Sequence, residues 1–156
     1  MNRIYCAIGK IVEVTQNIEL NIGEICELSE IVKEFSRHKN MTIADYNQVK
    51  SDAEYLKTKM ETMTFGQMIG IVYESKSLSY DEINELKALL EKRNYFTHEY
   101  FKFTKFSVSD SEQVILEEFE ALKEYLKKLN KMLGRLEIIK NSKSEQLGFL
   151  VNKAGL

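Results

Sequence analysis

The residues best suited to chemistry in this chain of 156 residues lie at positions 93–100. The apolar spacing before them predicts a helix, and at roughly 100° per residue Arg93 falls in the middle of an apolar arc of that helix. The arc is formed by Ile83, Leu86, Leu89, Leu90, Phe96, Tyr100 and Phe101. A guanidinium does not lose its proton, so Arg93 cannot become neutral on burial. It therefore needs an anionic partner, a water-lined cleft or a subunit interface with a groove.

Asn94 and His98 belong to the flank of the same arc. They are four residues apart, which places them one turn above each other on an α-helix. Histidine can act as a general base or acid because its unperturbed pKa lies near neutrality. Arg93 could bind phosphate oxygens in a bidentate manner, and Asn94 could orient the phosphate or His98. RNA supplies its own nucleophile, the 2′-hydroxyl, so these groups would suit metal-free phosphodiester cleavage.

A family resemblance rests on the same positions. The pattern R-N-x-x-x-H at Arg93, Asn94 and His98 resembles the signature of the HEPN superfamily, and R-x4-H-x-Y, completed by Tyr100, is similar to the motif of HepT-type toxins. The resemblance is strong over residues 93–100 and can be extended through the preceding helix to residues 64–103. It implies a helical homodimer, often a ribonuclease, with one cleft lined by both subunits. It also implies a nucleotidyltransferase antitoxin as partner, which would modify Tyr100 with AMP; without that role, Tyr100 would pack in the core.

Three interpretations stay open from the sequence. The first is a HEPN-type metal-independent endoribonuclease that acts as a toxin in a toxin–antitoxin or phage-defence system. The second is a catalytically inactive HEPN-like binding, regulatory or immunity protein, which the acidic pI of about 5.8 favours. In the third, Arg93 pairs with a buried carboxylate such as Glu61, and His98 makes a hydrogen bond in the core.

Composition limits the classes of function. The formal net charge is −2, so any binding of RNA must depend on a local site. The two histidines are 60 positions apart and the two cysteines are near the start, so neither a metal site nor a cofactor is expected. Cys6 and Cys26 are expected to be buried free thiols in a reducing cytosol. No secretory signal and no apolar run of about 18 residues is visible, so we expect a cytoplasmic protein without a membrane span.

The chain contains no proline and seven glycines, which favours long helices in one domain, residues 1–156. A seam with a seven-residue interval predicts a first helix from Asn2 to Arg37, although Gly23 could break it in two. Caps at Thr42, Thr64 and Ser79 predict three more helices, the last of them running from residue 80 to about 103 and carrying the motif. A long final helix should reach about residue 140. The pattern breaks at residues 141–144, and the last 15 or so residues could be loosely docked. The seam is formed by Ile4, Ile8, Ile11, Ile18, Ile22, Ile25 and Val32.

We therefore predict an all-α protein: an antiparallel, HEPN-like bundle of four to five main helices, with long first and last helices.

Overall fold

The fold is that of a computed structural model, which describes residues 2–38, 40–100 and 112–156, without the side chains of Asn2, Thr97 and His98. The described residues form five α-helices and one short π-helical segment, and they contain no β-strand. The predicted all-α bundle with long first and last helices is confirmed. The elements are α1 (Asn2–Arg37), α2 (Ile43–Glu61), α3 (Phe65–Ser75), α4 (Tyr80–Asn94), the π segment (Tyr95–Glu99) and α5 (Glu112–Ala154).

Helix α1 is continuous, so Gly23 does not divide it. The isoleucines of the predicted seam form its core face, and all six are buried. Thr15 interrupts this face but is also buried, because its hydroxyl donates a hydrogen bond to the carbonyl oxygen of Ile11 at 2.7 Å. A hydroxyl bonded within its own helix can be buried without the full cost of losing water.

Capping boxes begin α2, α3 and α4 at the three predicted positions. In each box the hydroxyl of the cap residue accepts the N–H of the third helical residue, whose side chain accepts the N–H of the cap residue. This exchange satisfies two backbone donors and fixes where each helix starts. The pairs are Thr42 with Asp45, Thr64 with Gln67, and Ser79 with Glu82.

Helices α4 and α5 run antiparallel. The Glu85 carboxylate of α4 pairs with Arg135, while one turn farther along α4 the Leu89 carbonyl oxygen accepts a hydrogen bond at 2.8 Å from the hydroxyl of Tyr125, which precedes Arg135 in α5. Helices α1 and α5, in contrast, run in the same direction. Arg3 and Glu112 line one surface pocket at the start of both helices, and farther along Lys140 pairs with Glu24 at 2.9 Å. The first and last helices therefore lie side by side along their lengths.

The ends of two elements differ from the sequence predictions. Helix α5 runs through residues 141–144 and ends at Ala154, so the predicted break there is wrong. Residues 137–156 are exposed or half-buried, and none of them is buried. The motif helix is α-helical only to Asn94 and then changes to π geometry. The remainder of the predicted motif helix, residues 101–103, lies outside the described residues.

Both cysteines are free, but only Cys26 is buried. The prediction of a second buried thiol is wrong for Cys6, which is exposed because its position faces the edge of the contact between α1 and α5. There it lines a surface pocket with Phe119 and Lys123. Among the described helices, none combines the length and the apolar character that crossing a membrane requires.

Candidate functional site

Arg93 lies in the last turn of α4 and is half-buried, with 24% of its side chain exposed. Its Nη2 lies 3.7 Å from Oε1 of Glu19 on α1, and its Nη1 donates a hydrogen bond to Oδ1 of the neighbouring Asn94 at 3.2 Å. The sequence required an anionic partner or a polar cleft for this charge. The structure supplies the carboxylate of Glu19, whereas Glu61, the partner considered from the sequence, is exposed and does not make the ion pair.

Burial and the charge of Arg93 shift the pKa of Glu19 in opposite directions. Burial raises the pKa of its carboxyl group above the usual value, and the guanidinium of Arg93 lowers that pKa by less. The loss of hydration is therefore larger than the gain from the ion pair.

Arg93 and Asn94 face a pocket of about 400 Å³ between the end of α4 and the start of α3. Thr64, Phe65 and Gly66 form its opposite wall at the N-terminus of α3. The capping box satisfies the N–H groups of Thr64 and Gln67, and the first turn of a helix also carries a partial positive charge. The pocket therefore combines a guanidinium, an amide and a helix N-terminus, all of which favour an anion.

One acidic residue opposes this preference. Glu99, at the end of the π segment, is exposed and lines the same pocket. A carboxylate here reduces the attraction for a phosphate, and it could also accept a proton from a ligand hydroxyl. Leu90 gives the pocket an apolar side.

The π segment sets the backbone geometry of the motif. The N–H of Tyr100 donates to the carbonyl oxygen of Tyr95, five residues earlier, where an α-helix would use the residue four earlier. The α-helical spacing assumed from the sequence therefore does not apply within residues 95–99. The backbone of His98 lies in the segment, but its side chain lies outside the described part of the structure. Short π segments within helices are frequent at functional sites.

Tyr100 is fully buried, with 0% of its surface exposed. Its ring packs against Tyr95 and Phe96, with centroid distances of 6.1 and 5.7 Å. Burial raises the pKa of the Tyr100 hydroxyl above its usual value, and the carboxylate of Glu118 raises it further. In this arrangement, transfer of AMP to Tyr100 would require the segment to open, so this role stays a prediction.

The lysines near the motif lie on aromatic rings. The ammonium of Lys92 is 5.4 Å from the ring centre of Tyr125, and that of Lys87 is 5.8 Å from Tyr73. Contacts of this kind restrain a long cationic side chain. Lys102 and Lys105, also near the motif in sequence, lie outside the described residues.

The described residues contain no group of three or more His, Cys, Asp or Glu side chains that could hold a metal ion. No protein-family model, curated protein or solved structure matches this chain. The site residue that sequence reasoning missed is Glu19. The available signal was its place beside Ile18 and three residues before Ile22, at the edge of the seam, which indicates partial burial of a charge.

Proposed function

We propose that this chain is a HEPN-type, metal-independent endoribonuclease that acts in the cytoplasm as a toxin of a toxin–antitoxin or phage-defence system. The supporting observation is the position of Arg93 at the edge of a pocket that the N-terminus of α3 also faces. Asn94 is exposed beside it, and the π segment that follows contains His98. A phosphodiester bound between the arginine and the helix N-terminus would lie beside the π segment, whose Glu99 lines the same pocket. The segment also contains His98, the one residue of the motif that can move protons near neutral pH.

The proposed reaction needs no group beyond the RNA and these side chains. The 2′-hydroxyl oxygen attacks the adjacent phosphorus as a base removes its proton, and the 5′-oxygen leaves with a proton from an acid. His98 serves as base or acid, and Arg93 stabilises the charge on the phosphate oxygens. The products are a 2′,3′-cyclic phosphate and a 5′-hydroxyl end. A cleft shared by two copies of the chain would supply one histidine for each proton transfer.

The test is RNA cleavage by purified variants. Replacing His98 with Ala should reduce cleavage by about 100-fold or more and relieve growth inhibition on expression, and Arg93→Ala should have a similar effect. His38→Ala is the matched control, because His38 is exposed at the end of α1, where it lies 3.5 Å from Glu34. The proposal is wrong if His98→Ala cleaves RNA as fast as the unmodified chain, or if the cleaving species has the 18.2 kDa mass of a single chain.

The proposed partner is a nucleotidyltransferase antitoxin. Co-expression of the protein encoded next to this chain should relieve growth inhibition if that protein is the antitoxin. A mass increase on Tyr100 equal to one AMP would identify the modification, and Tyr100→Phe would be its control.

A second candidate is a catalytically inactive binding or regulatory protein. Two observations favour it: Arg93 already pairs with Glu19, and Glu99 places a further negative charge at the pocket. In this case the purified chain cuts no RNA at any concentration, while Arg93→Ala dissociates the homodimer. Measuring cleavage and molecular mass on the same samples distinguishes the two candidates.

A further inference from the structure

Glu19 lies between two cavities. Its partner Arg93 lines the pocket at the start of α3, while Glu19 itself lines a second cavity of about 310 Å³ between α1, α2 and the start of α3. The floor of the second cavity is apolar, with Met60 and Met68 buried. The ion pair thus connects the proposed phosphate site to a separate opening.

The ion pair is a loose one. The guanidinium and the carboxylate are 3.7 Å apart between Nη2 and Oε1, longer than a direct hydrogen bond, and about a quarter of each side chain is exposed. A pair with this geometry contributes little to stability. The raised pKa of Glu19 has the same implication, because burial disfavours its charged form more than Arg93 favours it. A stabilising role therefore does not account for the contact.

We propose that Glu19 is a built-in competitor for the anionic ligand of Arg93, because its carboxylate occupies part of the guanidinium and repels a phosphate group that binds there. The identification of that ligand as an RNA phosphate rests on the proposed function above. A carboxylate this close repels an incoming phosphate and occupies the side of the guanidinium that faces α1. Glu19 acts through Arg93 and is a positioning residue.

The second cavity offers the Glu19 carboxylate an alternative position when a phosphate binds Arg93. Lys57 lines that cavity together with Glu19, and its Nζ lies 3.2 Å from Oε2 of Glu27. Rotation of the Glu19 side chain away from Arg93 would bring its charge towards the ammonium of Lys57.

The experiment measures binding of a fluorescent oligodeoxynucleotide, which lacks the 2′-hydroxyl and cannot be cleaved by the proposed route. Glu19→Gln should bind this probe about three- to tenfold more tightly than the unmodified chain, as expected for removal of one nearby like charge. Glu61→Gln is the matched control, because Glu61 lines the same cavity and changes the net charge equally, but it does not pair with Arg93. The gain should vanish when Arg93→Ala is added.

A stability measurement separates competition from a structural role. The folded-state pKa of Glu19 is raised, so its contribution to stability is present below the unfolded pKa and is lost as the pH rises through the folded value. At neutral pH, Glu19→Gln should therefore unfold at a midpoint no lower than that of the unmodified chain. A residue that only supports the fold would lower this midpoint and weaken binding.

Several results would overturn the proposal: unchanged or weaker binding by Glu19→Gln, an equal gain in Glu61→Gln, a gain that persists without Arg93, or no binding by any of the proteins. Failure of the proposed function gives a different result. If Glu19→Gln shows the Arg93-dependent gain but no protein cleaves RNA, the competition stands and the ribonuclease assignment falls.

Discussion

At the scale of single residues, a side chain whose charge cannot be neutralised requires polar or oppositely charged groups around it. The sequence shows that Arg93 lies on an apolar arc and must have a polar neighbour, and the structure meets this need with Glu19 at 3.7 Å. The identity of the partner was not predictable, because it depends on where α1 and α4 meet, and the local pattern of neither helix specifies that contact. A short sequence motif contains only residues that are close together in the chain, whereas Glu19 is far from Arg93 in sequence.

Tyr125 provides a test at the same scale. Its buried hydroxyl donates to the carbonyl oxygen of Leu89, and its ring packs against Phe96 with a centroid distance of 5.1 Å. Tyr125→Phe keeps the ring and removes the hydrogen bond, so we expect the free energy of unfolding in urea to fall by about 1 kcal/mol. Tyr55→Phe is the control, since Tyr55 is 72% exposed. Equal effects of the two substitutions would show that the hydrogen bond contributes nothing.

At the scale of helices, sequence periodicity predicted the starts better than the ends. The capping boxes at Thr42, Thr64 and Ser79 are local, so a few residues determine them. The run at residues 141–144 is polar but contains neither proline nor glycine, and nothing in it prevents the helix from continuing. The change to π geometry after Asn94 leaves no signal in residue type, because it is one shifted hydrogen bond within an otherwise helical segment.

Glycine in α1 gives a test at this scale. An added Cβ at Gly9 would meet no atom within 4 Å, so Gly9→Ala should raise the free energy of unfolding by about 0.5–1 kcal/mol through the lower backbone entropy of the unfolded chain. The matched control is Gly155→Ala. Gly155 follows α5 with φ of +71°, a conformation that strains alanine, so this substitution should not stabilise the chain. A loss of stability in Gly9→Ala, measured in the same urea titration, would contradict the open environment of Gly9.

At the scale of the whole molecule, the core is continuous from α1 to α5, and it contains two tyrosines with perturbed ionisation. Burial raises the pKa of both Tyr100 and Tyr125 above the usual value. The folded chain therefore keeps both hydroxyls neutral where the unfolded chain would ionise them. Their contribution to stability is complete below the unfolded pKa of about 10, and it is lost as the pH rises above that value towards and through the higher folded pKa.

The measurable consequence is a two-stage alkaline titration. Part of the tyrosinate absorbance should appear only together with the loss of helical circular dichroism. In a chain carrying Tyr100→Phe and Tyr125→Phe, this late part should disappear. If the complete absorbance change precedes unfolding, the two hydroxyls are not protected in the way the structure describes.

The candidate site was predictable only in part. The sequence identified Arg93, Asn94 and His98, and the structure places the first two on one pocket. The sequence did not indicate the contribution of α3. Its residues Thr64, Phe65 and Gly66 line the pocket only because α3 packs on α4. The proposed homodimer, RNA substrate and antitoxin stay predictions.

The parallel contact of α1 with α5 has a consequence for biosynthesis. In the order of synthesis α1 precedes α5, and α2, α3 and α4 lie between them in the chain. The isoleucine face of α1 therefore cannot be fully covered until α5 has left the ribosome. Nascent chains that stall before α5 would expose an apolar surface to chaperones.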